Sequence, residues 1–458
     1  MTLIEKQSQS KNIQLIVLGL YSIAIVILGY FTERSETIKV FTLFGSMFLA
    51  YVYFMKKEIS LKAIILGGIL LRASQLWMLP NLSDDYFRFI WDGLLLQNGM
   101  NPFYYLPSYF IEINELPEGL SKELYSQLNS PNYYTIYPPL CQFTFWVGGF
   151  FAKDSSLFTV VAMRSFVLLS EIGTLILLPR LLSNLDLKPE QSKWYALNPL
   201  VVVELTGNLH YEALMIFFLL LSLYWLQKQK LVLSAIAFSF SVGSKLLPLM
   251  FLPLLLFYLG WKKAFAFYFT CAIGLLLLFA GFLDLEMINN MRESFSLYFN
   301  RFEFNASVYY IVRWIGFQVK GYNIIGTAGV RLTYIPIILI LVLSLIKTKS
   351  LQTIILRMLL VMSVYYFTAT IIHPWYISTL VFFSAFTNFR FAMLWSGLAI
   401  FSYATYRDSS YQEIFTFTTI EYLAVYTVFF YELYKNGLLK KGQIHLKAFT
   451  KSIKKPSI

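Results

Sequence analysis

KAIILGGILLRASQLWMLPNLSDDYFRFIWDG, residues 62–93, sets an apolar run directly against a cluster of charge. The run from 62 to 79 has the length needed to cross ~30 Å of hydrocarbon as a helix. The eleven residues Ser83–Gly93 then hold three carboxylates, Asp84, Asp85 and Asp92, and one guanidinium, Arg88. Acids crowded where a spanning helix leaves lipid are costly unless water, a counter-ion or a substrate uses them. The stretch therefore predicts a helical membrane protein and marks a candidate site at the membrane edge.

The rest of the chain extends the pattern. Hydrophobic residues make up 57% of the sequence and charged residues 14%, against about a quarter charged in soluble domains. Apolar blocks of roughly 15–20 residues recur from residue 13 to residue 434, the length of helices rather than of ~10-residue barrel strands. This predicts an all-α integral membrane protein with about 13–14 transmembrane helices. The net charge of +12 does not point to nucleic acid, because seven lysines and no acid lie between Lys435 and Ile458, after the last apolar block. That distribution is expected of a cytoplasmic end held against anionic lipid. Cys141 and Cys271 both fall in apolar segments and are read as packing residues.

The basic clusters Lys56-Lys57, Lys228 with Lys230, Lys262-Lys263, and Lys347 with Lys349 orient the chain. They place both termini in the cytoplasm and the exit at Pro80 outside, provided that residues 136–152 do not cross. A single transmembrane domain over 1–458 is thus expected. Within it lie a first exoplasmic loop at 80–135 with the candidate catalytic acids, a re-entrant or interfacial segment at 136–152, a second exoplasmic loop at 284–332, and a basic cytoplasmic tail at 435–458. Tyr137-Pro138-Pro139 fits a re-entrant start, since non-helical backbone is tolerated at that depth only where protein or a wet cavity satisfies it. The first loop carries seven acids against Arg88 and Lys122, and the second carries Arg292, Arg301, Arg313, Lys320 and Arg331 against four acids. One loop can supply a carboxylate and the other can bind phosphate.

Several residues admit both a functional and a structural role. Asp84 and Asp85 can complement a helix dipole behind a Ser83 cap. Alternatively Asp84, Asp85, Arg88 and Asp92 share one helix face, where the guanidinium keeps a carboxylate ionised for base, phosphate or metal chemistry. Lys245 either snorkels to the interface or meets an anionic ligand. Asn208, His210 and Glu212 lie in a polar break that an apolar span does not need. Arg164 and Glu171, within one span, are expected to pair with neighbouring helices. His373 with Trp375 and Tyr376 is an interface anchor or a ligand contact. No His-x-x-x-His pair, Gly-rich phosphate loop or Gly-x-Ser-x-Gly elbow is present.

A set of motifs in order carries a resemblance. They are Ser83-Asp84-Asp85-Tyr86-Phe87-Arg88-Phe89-Ile90-Trp91-Asp92-Gly93 with Asn101-Pro102-Phe103, Tyr137-Pro138-Pro139-Leu140, Leu197-Asn198-Pro199 with Asn208-Leu209-His210-Tyr211-Glu212, Ser244-Lys245-Leu246-Leu247-Pro248, Phe302-Glu303-Phe304-Asn305-Ala306-Ser307, and His373-Pro374-Trp375-Tyr376. Together they resemble the bacterial mannosyltransferase-like branch of the GT-C glycosyltransferases, from about residue 60 onward. The resemblance implies a multispanning GT-C-like fold with two large exoplasmic loops in a bacterial inner membrane. It also implies transfer of a sugar, mannose foremost, from a polyprenyl-phosphate carrier to a glycan, lipid or protein acceptor, usually with inversion.

By position it makes Asp84 the general base, with Asp85 the close alternative and Arg88 and Asp92 in support. Lys245, Arg301, Arg313 and His373 would bind the carrier phosphate, and Asn208, His210, Glu212, Glu303, Asn305, Trp375 and Tyr376 the substrates. The family often shows Asn-Asp where this chain has Tyr211-Glu212, which leaves the role of Glu212 less defined. No cofactor is required by this chemistry, although adjacent aspartates can hold Mg²⁺ or Mn²⁺. The competing functions are a lipid-linked saccharide flippase, expected to place its polar groups on broken helices near the midplane, and an oligosaccharide polymerase or ligase.

Overall fold

The computed structural model describes residues 3–440 and 443–444 and is almost wholly helical. One two-stranded pairing, Leu439–Lys440 with Gln443–Ile444, follows the last long helix. The tail lysines beyond Lys440 lie outside the described residues.

Among the described residues six helices are long and apolar enough to cross a bilayer: Asn12–Phe31, Thr37–Met55, Ser156–Asn184, Trp261–Phe279, Ile325–Leu345 and Leu351–Thr368. A seventh is counted if Pro199–Gly207 and Glu212–Gln227, bent by 112°, form one broken span. The protein is thus a multispanning helical membrane protein, but the expected 13–14 crossings are not matched by as many long helices. Several apolar runs are cut short. Leu61–Ala73 has 13 residues, Leu231–Ser244 has 14, and Leu252–Leu259, Ile377–Ser384 and Phe391–Leu398 have 8 each. At 1.5 Å per residue a 13-residue helix covers only ~20 Å.

The 136–152 segment forms the helix Pro139–Gly149, 11 residues long and also too short to cross alone. Residues 284–332, expected as a second exoplasmic loop, are largely helical, with Leu285–Arg301 and Val308–Lys320.

Two buried arginines hold this broken architecture. Arg72 Nε donates to Glu171 Oε2 at 2.6 Å and its Nη1 to the carbonyls of Gly68 and Ala196 at 3.0 and 2.8 Å, while Tyr195 donates to Glu171 Oε1 at 2.6 Å. Both charged side chains are fully buried, so these added hydrogen bonds offset part of a large desolvation cost. Glu171 therefore pairs with a neighbouring helix as expected. Arg164 instead takes backbone carbonyls: Nε to Thr206 at 2.8 Å, Nη2 to Gly207 at 2.8 Å, Nη1 to Leu76 at 2.9 Å and also to Met78. These carbonyls lie where the Leu61 and Pro199 helices end.

Lysines gather at one end of the bundle. Lys193 Nζ donates to the carbonyls of Phe54, Met55 and Lys57, Lys228 reaches Asn184, and Gln229, Lys263 and Lys349 share one cleft. Thr32–Ser35, Lys39, Asn81, Asp408, Ser409 and Tyr411 share a cleft at the other end of the Thr37–Met55 helix. The Leu61–Ala73 helix runs from the lysine end toward this second end, so that the next helix, Asp85–Gln97, starts there.

The Asp85–Gln97 helix crosses Pro139–Gly149 at backbone contact. A Cβ on Gly93 would lie 2.3 Å from the Phe145 carbonyl oxygen, and one on Gly149 would lie 2.7 Å from the Gly93 carbonyl oxygen. Gly93→Ala should therefore push the helices apart at a cost of about 1–3 kcal/mol, read as a lower Tm in detergent. Gly45→Ala, with no atom within 4 Å of its new Cβ, should hold or raise Tm. Equal effects at the two positions would refute the close crossing.

Candidate active site

The helix Asp85–Gln97 begins one residue later than the Ser83 cap expectation requires. Asp84 is the N-cap, without a side-chain capping bond, and Asp85 opens the first turn. This one-residue register sends adjacent carboxylates apart. Asp84 pairs with Arg34, from the loop after the first helix, and not with Arg88. Asp85 turns into a cavity of about 430 Å³, where Asn129 Nδ2 donates to Oδ1 at 2.7 Å and the Tyr137 hydroxyl to Oδ2 at 3.2 Å. Burial and the nearby Asp85 carboxylate push the Tyr137 phenol well above its ordinary range, so it stays a donor.

Arg88 also lines the cavity, but its partner is Asp92, with Nε to Oδ1 at 2.8 Å. Its Nη1 donates to the carbonyls of Ser130 and Tyr133 at 3.1 and 2.8 Å, and Gln142 donates to the other Asp92 oxygen at 3.1 Å. Arg88 and Asp92 thus fasten the 130–133 loop and the Pro139 helix around Asp85. Asp92 is fully buried and does not line the cavity. The Nη2 of Arg88 has no hydrogen-bond partner among the described residues.

The facing wall carries Lys245, which pairs with buried Glu212 and sits 4.4 Å over the Tyr376 ring. All three line the cavity. Arg301 and Arg313, expected beside Lys245, do not. Arg301 ends the Leu285–Arg301 helix and is exposed. Arg313 is taken up by Glu303 and lies 4.6 Å over Tyr310 and 5.2 Å over Phe415. Glu303 does line the cavity, on a short extended segment where Phe304 N bonds the Thr370 carbonyl at 3.0 Å and Ile372 N bonds the Phe304 carbonyl at 2.8 Å. Asn305, at φ 44°, is buried behind that wall, bonded to Glu413, Glu421 and Tyr422.

His210 and His373 line the cavity on either face of Trp375. The His210 ring stacks at 3.8 Å and the His373 ring at 4.3 Å, with Phe304 tilted on His373 at 5.0 Å. Both faces of the Trp375 indole are therefore covered, and it cannot stack on a sugar. Burial, reinforced by His210 and Lys245, pushes His373 down to about 3. His373 is thus a neutral ring near pH 7, not the expected cation, and the cation on this wall is Lys245.

Asn208 is buried outside the lining, between Glu204 and the Leu82 backbone. Asp84 and Asp85 do not converge on one point, and no group of three or more His, Cys, Asp or Glu side chains suited to a metal is found among the described residues. Arg34 and Asn129 carried no signal in the sequence, because each reaches its aspartate from a distant loop.

Residues 20–260 match the MptA_B family model, described as alpha-(1->6)-mannopyranosyltransferase, N-terminal domain. No curated protein matches the chain.

A His373 held neutral favours the folded state above its ordinary value of 6.5, and that stability is lost as pH falls toward 3. Between pH 7 and 5 wild type should lose on the order of 1 kcal/mol more stability than His373→Gln, after allowance for the ring's open side. Thermal unfolding in detergent at the two pH values reads this difference. Parallel losses would show that His373 is not held neutral.

Proposed function

The chain belongs to the alpha-(1->6)-mannopyranosyltransferase family, and from that premise we propose that it transfers mannose from a polyprenyl-phosphate carrier to an acceptor hydroxyl on the exoplasmic face. The observation that carries this reading is the cavity itself, which has the oriented carboxylate of Asp85 and the cation of Lys245 on its walls. Leu246, Leu247, Phe295 and Ile371 line it as well, an apolar surface suited to the first isoprene units of a lipid carrier. Its site lies near the molecular end opposite the lysine clusters, which supports an exoplasmic opening by the positive-inside rule.

In the proposed step an acceptor hydroxyl attacks C1 of the donor sugar as the C1–O bond to phosphate breaks. The bonding pair leaves with the phosphate oxygen, and the hydroxyl proton passes to Asp85. Attack opposite the leaving group inverts the anomeric centre. The family's alpha-(1->6) linkage would make the acceptor the C6 hydroxyl of a hexose and, with inversion, the donor beta-linked. Lys245, preorganised by Glu212, stabilises the charge that grows on the phosphate. Asn129 and Tyr137 keep the Asp85 oxygens aimed into the cavity. The sugar–phosphate bond supplies the driving force.

The test is transfer of radiolabelled mannose from synthetic polyprenyl-phosphate-mannose by purified protein. Loss of a general base costs about 10²–10⁴-fold. Asp85→Asn should show that loss while folded, and Asp84→Asn should keep activity within about tenfold, as expected for a residue outside proton transfer. The reverse order would move the base to Asp84. Inactive wild type that instead moves a lipid-linked sugar between leaflets would replace the transferase with a flippase.

A further inference from the structure

Glu204 does not line the cavity, yet it is fully buried and both of its oxygens are held. Oε1 accepts from the Tyr403 hydroxyl at 2.6 Å. Oε2 accepts from Asn208 Nδ2 at 3.1 Å and lies 3.5 Å from His210 Nε2. Burying an ionisable group is costly and is sustained only where partners offset the lost water.

The partners fall on two sides. Tyr403, from the 3-10 helix Ala399–Arg407, fixes the carboxylate from behind. Ahead of it, Asn208 Oδ1 accepts from the Leu82 backbone N–H at 3.3 Å, three residues before Asp85, and His210 lines the cavity, stacked on Trp375.

The backbone between these two side chains is strained. Asn208 N bonds Val203 O and His210 N bonds Leu205 O, each five residues back, and Leu209 stands at φ 62°. A bulky residue in the left-handed region persists only where its surroundings over-determine it. Glu204 bonds Asn208 on one side of Leu209 and lies beside the His210 ring on the other, adding to the two backbone bonds that span the turn.

We propose that Glu204 is a positioning residue of the transferase site, holding the His210 ring on the cavity wall and, through Asn208, the Leu82 backbone that leads to Asp85. The proposal rests on the transferase reading for its kinetic consequence only.

The experiment is a double-mutant cycle of Glu204→Gln and His210→Gln, with Glu204→Asp as the charge-conserving variant. Two readouts are taken on folded protein. The first is kcat and KM for mannose transfer from polyprenyl-phosphate-mannose. The second is the fluorescence of Trp375, obtained as the difference between each protein and its Trp375→Phe counterpart, which reports the imidazole stacked on the indole.

Glu204→Gln should lower kcat on the order of tenfold with KM little changed, and should cost markedly less in the His210→Gln background than in wild type, the remainder being the Asn208 arm. Trp375 emission should change in Glu204→Gln and return in Glu204→Asp. Additive losses, or an unchanged Trp375 emission in Glu204→Gln, would overturn the proposal. A changed and rescued emission in a protein that transfers no mannose would uphold the positioning and sink the transferase reading instead. Should Glu204→Gln not fold, Tyr403→Phe carries the same test, with a smaller emission change expected and no change overturning the proposal.

Discussion

Backbone carbonyls freed at helix ends must find donors wherever the chain breaks away from water, and one side chain, Arg164, meets that requirement for two breaks at once. Its guanidinium binds the carbonyls of Leu76 and Met78 at one helix end and of Thr206 and Gly207 at the other. Each break precedes a segment that reaches the cavity: Asp85 follows the first, and His210 with Glu212 follows the second. The functional wall therefore depends on an arginine that never touches it. Arg72, with Glu171 and the Ala196 carbonyl, ties the same helices deeper in the bundle.

The site keeps opposite charges near one another without letting them all neutralise. Asp84 is bound to Arg34, Asp92 to Arg88 and Glu212 to Lys245. Asp85, by contrast, is held by two neutral donors, the Asn129 amide and the Tyr137 hydroxyl. Neutral donors orient a carboxylate without adding a counter-charge, which suits the base role proposed for Asp85. A guanidinium in the same place would favour the ionised form more strongly and weaken it as a base.

What could be read in the sequence was the material of the site more than its geometry. The order of motifs placed Asp85, Arg88, Glu212, Lys245, Glu303 and His373 in one region, and all line one cavity. The choice between Asp84 and Asp85 was out of reach, because it turns on where a helix begins by one residue and on an arginine fifty residues earlier. Arg301 and Arg313 were grouped with the phosphate site by charge alone, whereas the structure spends Arg313 on Glu303 and leaves Arg301 outside. Helix length was illegible for a related reason. Apolar runs look alike whether they continue or stop at a polar break, and the bend of 112° after Gly207 follows from three-dimensional packing.

The rings stacked along the cavity wall have a consequence for selectivity. With His210 and His373 on its two faces, Trp375 offers its perimeter to the cavity instead of a flat apolar platform. The perimeter of an aromatic ring is the positive pole of its quadrupole. It attracts the lone pairs of oxygen and is indifferent to the C–H patch that distinguishes one hexose face from another. On the proposed transferase reading, stereochemical choice among sugars falls to other groups on the cavity wall, and a relative could change its sugar without altering this stack.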